Sequence, residues 1–243
     1  MANFSRIAAP EGHLAGALLL AESSREHVFE RLAETAPFGR WRINPVADEP
    51  QTVIAETGGH KIAIICGSQI RCRLGLEVLA LGTTARHPDG GEVEETIDLV
   101  RSCGALPVVP WGFGKWIGRA GRRIGELFDS QSPESLFAGD NGGRLQILGL
   151  PKQLNVARRG GFRVLPGTDP FPFGADYRRV GGFGFLAAME PDPTHPWQSL
   201  RSALAGTTCS PEPYGRALPP VRFLFNQGWI QVHNRIGPGW AAQ

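Results

Sequence analysis

The sequence predicts one α/β domain over residues 1–243, built on a mostly parallel sheet that closes, or nearly closes, into a barrel. Three observations carry this expectation. Short apolar runs alternate with segments of helical periodicity, and the runs are nearly continuous, as in strands covered on both faces. No shift in composition marks a domain boundary. No Gly-x-Gly-x-x-Gly follows the first run, so the signature of an open dinucleotide-binding sheet is missing.

The elements follow in order. Leu14–Leu20 is a strand that ends at Glu22-Ser23-Ser24, and Ser24 is the N-cap position for a helix carrying His27, Val28, Leu32 and Ala33. Val53–Thr57 and Ile62–Cys66, separated by Gly58-Gly59-His60-Lys61, form a hairpin. Leu76–Leu81 is a strand, followed by the loop His87–Gly91 and a helix through Val93, Ile97 and Val100 that stops near Gly104. Leu106–Pro110 feeds a helix from about Lys115 to Phe128, and Leu136–Ala138 feeds the loop Gly139–Arg144. Pro151–Arg159 is a short helix with Pro in its first turn and Gly160-Gly161 beyond its end. Phe162–Pro166 and Gly182–Met189 are further strands. A helix over Pro196–Ala205, a Pro-rich loop over Thr207–Pro220 and an amphipathic helix over Val221–Arg235 complete the chain.

Bulk features exclude several classes. The 25 Lys and Arg against 23 Asp and Glu give a net charge of +2, too balanced for a nucleic-acid partner. Arg119, Arg122, Arg123, Arg158 and Arg159 accordingly read as solvated helix faces. With 42% apolar residues, and 32 Gly and 20 Pro in no Gly-X-Y period, the chain is neither disordered nor collagen-like. Leu14–Ala21 is too short to cross a bilayer, and Met1–Pro10 lacks the apolar region of a secretory signal; the expectation is a bacterial-type cytoplasmic protein with no membrane partner. The four cysteines lack C-x-x-C spacing and read as reduced, mostly buried thiols. The six histidines form no H-x-H or H-E-x-x-H pattern, and no Gly-x-Ser-x-Gly elbow is present.

Chemistry concentrates where three successive strands end in polar, glycine-rich segments: Pro110–Trp116, Gly139–Arg144 and Gly167–Pro170. In a parallel sheet these ends share one face, so the segments converge. Trp111, Lys115, Asn141, Arg144 and Thr168 are the candidate ligand-binding residues, with Lys115 and Arg144 holding an anion and Asn141 orienting it. Asp140 and Asp169 are the candidate catalytic residues, each directly after a strand, where a general base or metal ligand projects. Gly112-x-Gly114-Lys115 resembles a phosphate-holding turn at a helix N-terminus, without the Walker spacing or its following Ser/Thr. Plainer roles stand beside these: a tight turn with Lys115 running to solvent, Trp111 and Trp116 as wall or core, Asp140 and Asp169 as turn formers.

The runs Ile65–Ile70 and Leu76–Gly82, with the three segments above, together resemble the polymerase and histidinol phosphatase (PHP) domain-like superfamily over roughly Gly58–Gly184. The resemblance implies a distorted, seven-stranded β/α (TIM-like) barrel and metal-dependent phosphoester chemistry with His and Asp ligands at the strand ends. Gly167-Thr168-Asp169 is similar to that superfamily's Gly-Ser-Asp-x-His segment. Pro170 and Phe171 then stand where the histidine is due, the H-x-H near the first strand is absent, and Gln69 is an amide at the place of an acidic ligand. Carried over residue by residue, the metal set reduces to Asp169, with Asp140 as neighbour, for a divalent Zn, Mn or Mg ion.

The functional expectation is a PHP-like barrel that binds a small anionic molecule, phosphorylated or carboxylated, at the carboxyl face of its strands. One rival is a divergent metal-dependent phosphoesterase or hydrolase. Another is a non-catalytic binding or assembly subunit, its strand-end face sealed by Trp111, Phe113 and Trp116 and its apolar surface on the terminal helix around Phe223, Phe225 and Trp229. A homo-oligomer is compatible with each.

Overall fold

The computed structural model describes residues 12–34, 37–144, 149–170, 176–190 and 192–217. Strands β1 (Leu14–Leu19) and β2 (Glu22–Ser23) precede helix α1 (Val28–Glu34). Five strands then follow with no α-helix between them: β3 (Arg42–Val46), β4 (Glu49–Thr57), β5 (His60–Ile65), β6 (Gly67–Arg71) and β7 (Glu77–Leu81). Alternation begins only afterwards, through α2 (Val93–Ser102), β8 (Leu106–Trp111), α3 (Gly118–Ser130), β9 (Phe137–Asp140), α4 (Lys152–Arg159) and β10 (Arg163–Pro166). Strand β11 (Phe183–Leu186), helix α5 (Pro196–Gly206) and strand β12 (Glu212–Gly215) complete the described elements.

The five-strand run overturns the expected barrel. A parallel barrel needs a crossover connection between neighbouring strands, whereas β3/β4, β4/β5, β6/β7 and β7/β8 are antiparallel. The result is two open sheets, ordered β1-β5-β4-β3 and β10-β9-β8-β7-β6-β2, plus the hairpin β11-β12. Parallel pairing survives in β1/β5, β2/β6, β8/β9 and β9/β10. Strands β2 and β10 stay at opposite edges, so the seven-stranded β/α architecture implied by the PHP resemblance does not form.

One ribbon ties the sheets together. The β1/β5 pair continues as β2/β6, and the Leu20 N–H donates to Ile65 O at the junction. There the Cys66 N–H bonds Gln51 O while its carbonyl accepts from Gly82, so the strand exchanges one sheet for the other. Gly67 permits the crossing: a Cβ at this position would lie 2.4 Å from Leu20 O and 2.8 Å from Ala80 O.

Local differences have local causes. The Ser24 hydroxyl bonds Asp89 instead of capping α1; the Glu22 carboxylate accepts the Phe29 N–H at 2.6 Å in its place. The β4–β5 hairpin forms with a tighter turn than expected, Thr57 pairing with His60 across Gly58-Gly59. Helix α3 starts at Gly118 rather than Lys115, because the Lys115 N–H bonds Gly112 O and closes a turn. Strand β12 lies in the stretch read as Pro-rich loop. Of the four free thiols, Cys66 and Cys72 are buried and Cys103 and Cys209 exposed, so half rather than most are covered. The helix expected over Val221–Arg235 lies outside the described residues. Among those residues no helix is long and apolar enough to cross a membrane.

Side-chain alternation along the larger sheet builds two apolar layers. Val78, Val109, Ala138 and Val164 face helices α2, α3 and α4, meeting Ile97, Ile124, Leu127 and Leu154. Leu81, Val108, Phe137 and Leu165 face the other way, towards β1 and Trp197, Leu200 and Leu204 of α5. Helix α5 is held at both ends by buried charges from distant parts of the chain. The Glu49 carboxylate accepts the Trp197 and Gln198 N–H groups at 2.9 and 2.8 Å. The Arg163 guanidinium donates to the carbonyls of Leu204, Pro133 and Glu134 and lies 4.0 Å over the Phe137 ring. Each charge matches the helix dipole at its end.

Candidate functional site

The carboxyl ends of β8, β9 and β10 finish level, with Trp111 opposite Asp140 and Asp140 opposite Pro166. Because β7 runs antiparallel to β8, its first residue, Glu77, arrives at the same edge. The three glycine-rich segments therefore open onto one space, a cavity of about 650 Å³ between this edge, β1, β11 and α5. Its walls are hydrocarbon, from residues such as Leu14, Leu79, Val108, Leu165, Phe183 and Leu200. Polar groups gather at the strand-end side, Gln69, Glu77, Lys115, Asn141 and Asp169, while Asp192 and Tyr214 line it elsewhere.

Each sequence-predicted residue lines this cavity except Arg144, which lies just behind it. Asp140 is 2% exposed and wholly engaged: Oδ1 accepts the Gly142 N–H at 3.1 Å, and Oδ2 takes Nε and a terminal nitrogen of Arg144, each at 2.9 Å. Arg144 spends its remaining nitrogen on Gly149 O at 3.1 Å. This pair holds the β9 loop in shape and, with Gly149 O, engages all three guanidinium nitrogens. Trp111 is both wall and core, 7% exposed at the end of β8, while Trp116 is core packed edge-on to Phe128. The Thr168 hydroxyl donates to Phe183 O at 2.8 Å and accepts from Phe183 N, tying the β10 loop to β11.

Two polar pairs face the cavity. Lys115 Nζ meets Glu77 Oε2 at 2.5 Å, with the lysine side chain 44% exposed and the glutamate 13%. Asn141 Nδ2 donates to Asp169 Oδ2 at 3.1 Å, and Asn141 Oδ1 accepts the Gly143 N–H. Asp169 adopts φ of +39°, a left-handed conformation that aspartate tolerates better than most residues. Asp169 is exposed to solvent at the cavity. Desolvation by the protein packed about its carboxyl raises it above the usual aspartate range, opposed by the Asn141 hydrogen bond and Lys115; Glu77 adds to the rise. An aspartate so placed is suited to holding or passing a proton.

The donor set does not fit a divalent ion. Among the described residues no group of three or more His, Cys, Asp or Glu could hold one. Around Asp169 stand the Asn141 amide, the Lys115 ammonium and the Glu77 carboxylate that Lys115 engages, which do not replace the missing histidines. Elsewhere, burial pushes the Cys66 thiol up to about 11, so it stays protonated and is a poor nucleophile. Sequence reasoning missed Glu77 as a site residue. Its signal was a lone carboxylate opening an otherwise apolar strand, in Glu77-Val78-Leu79-Ala80-Leu81.

No protein-family model matches the chain, and no curated protein does. A solved structure does resemble it: the crystal structure of PsfC from Pseudomonas syringae PB-5123 matches with a TM-score of 0.54 at 13% identity, covering 89% of this chain and 83% of that one. The likeness lies in the fold.

Proposed function

We propose that this chain binds a small molecule through an anionic group at the carboxyl ends of β8, β9 and β10. The observation that carries the reading is the cavity onto which all three strand-end segments open, with largely apolar walls and a cluster of polar groups at the strand ends. In this reading Lys115 holds the anion, because Arg144 is committed to Asp140. Asn141 fixes Asp169, and Asp169 supplies or takes a proton at the bound group. Metal-dependent hydrolysis is not part of the proposal, since the residues around Asp169 are not a divalent-ion donor set. Free thiols persist in a reducing compartment, which supports a bacterial-type cytoplasmic setting.

The test is a thermal-shift and calorimetric panel of carboxylates and phosphomonoesters on the full chain. At least one class should raise the melting temperature in a saturable way. Lys115→Met should abolish the effect. Glu77→Gln, by releasing Lys115 from its partner, should strengthen it several-fold. Stabilisation that is indifferent to both substitutions would refute the assignment.

A further inference from the structure

Resting on that reading, the geometry points to the ligand class: we propose that the cavity takes an amphipathic monocarboxylate, its apolar body along the hydrocarbon walls and its carboxylate between Lys115 and Asp169. Size supports a body of substance. At roughly 30 Å³ per water-sized group, about 650 Å³ accommodates roughly twenty non-hydrogen atoms, far more than an inorganic anion or a short acid fills. Wall chemistry supports an apolar one. Leu14, Leu79, Val108, Leu165 and Leu200 offer no hydrogen bond to a sugar or nucleotide.

Charge supports a single negative group. Among the described residues that line the cavity Lys115 is the one basic side chain, and it is shared with Glu77; nearby, Arg144 is bound to Asp140 and Arg179 lies 3.5 Å from Asp176. A dianionic phosphate would therefore face Glu77 and Asp169 with a fraction of one cation, whereas a carboxylate needs only Lys115 and one donor. Desolvation disfavours the charged form of Asp169, and a proton held there would supply that donor.

Isothermal titration of the full chain with dodecanoate, dodecyl phosphate, dodecan-1-ol, dodecylammonium and butanoate, all below their aggregation concentrations, tests the class. Dodecanoate should bind one-to-one and at least tenfold more tightly than each of the others. Lys115→Met should remove its advantage over dodecan-1-ol while leaving the alcohol's own affinity intact. Dodecyl phosphate or dodecylammonium binding as tightly as dodecanoate would overturn the monocarboxylate. So would an alcohol of equal affinity. If butanoate binds through Lys115 while no long-chain compound does, the amphiphile fails and the anion site stands. If none of these probes binds, both fail.

Discussion

Removing the Glu49 side chain should detach helix α5, and with it one wall of the cavity. Glu49 opens β4 and is 3% exposed, yet its carboxylate serves a helix almost 150 residues away, accepting the N–H groups of Trp197 and Gln198. Pro196 begins the helix and has no N–H, and His195 at the N-cap contributes no side-chain bond, so Glu49 is the cap. A hydrogen bond to a charged partner contributes about 1.5–3 kcal/mol, and both are lost in Glu49→Ala with the two donors left buried. Allowing for partial repair by water, the cost is about 3–4 kcal/mol. Glu49→Gln keeps one acceptor oxygen and should cost about half as much. In a chain of 243 residues each kcal/mol moves the melting temperature by about 2–4 °C, so Glu49→Ala should melt roughly 10 °C lower. Urea and thermal unfolding followed by circular dichroism measure this. A loss below about 1 kcal/mol would refute the cap, and Arg163→Met should be strongly non-additive with Glu49→Ala because both hold the same helix.

Three further outcomes follow from the same geometry. Desolvation holds the Asp169 carboxyl above the ordinary aspartate range, so the folded chain keeps this proton where the unfolded chain has lost it. Its contribution to stability is full below the ordinary aspartate pKa and is lost as pH rises through the raised value. Asp169→Asn cannot ionise, and should be the more stable protein at neutral pH with the gap closing in acid; parallel urea curves at pH 4 and 8 that never diverge would contradict this. Gly82→Ala places a Cβ 1.9 Å from the Trp197 ring at φ of +82°, and should cost about 3 kcal/mol with a red shift of tryptophan emission as α5 lifts. Arg144→Met strands the buried Asp140 carboxylate and should cost about 3–5 kcal/mol in urea unfolding; full stability with lost anion binding would instead restore Arg144 as a ligand contact.

What was legible in the sequence was local or periodic. The β8-α3-β9-α4-β10 alternation follows from apolar runs and helix periods, so the convergence of Trp111, Lys115, Asp140 and Asp169 on one edge could be read from order alone. Strand direction could not. Gly67–Arg71 has Ile70 as its one large apolar residue and gives no strand signal of its own, and the compact connection through the Arg73–Gly75 turn pairs it antiparallel with Glu77–Leu81. Polar partnerships were equally hidden. Arg144 and Lys115 read as free cations because residue order alone does not reveal that Asp140 and Glu77 answer them, and the Glu49 cap joins residues almost 150 positions apart.

The departure from a barrel is itself what makes the cavity. In a closed β/α barrel the inward side chains of every strand meet at the axis and fill it. Here the sheet stops at β2 and β10, and its inner face is covered instead by one helix, one hairpin and the kinked ribbon β1/β5. Those covers are spaced by fixed contacts: Trp197 against Gly82, Glu49 and Arg163 at the two ends of α5, and Thr168 against Phe183. Each contact holds the roof at a distance the wall side chains do not bridge, so the space survives beneath it. A substitution that releases α5 should therefore weaken ligand binding through faster dissociation, even though Glu49 lies outside the cavity lining.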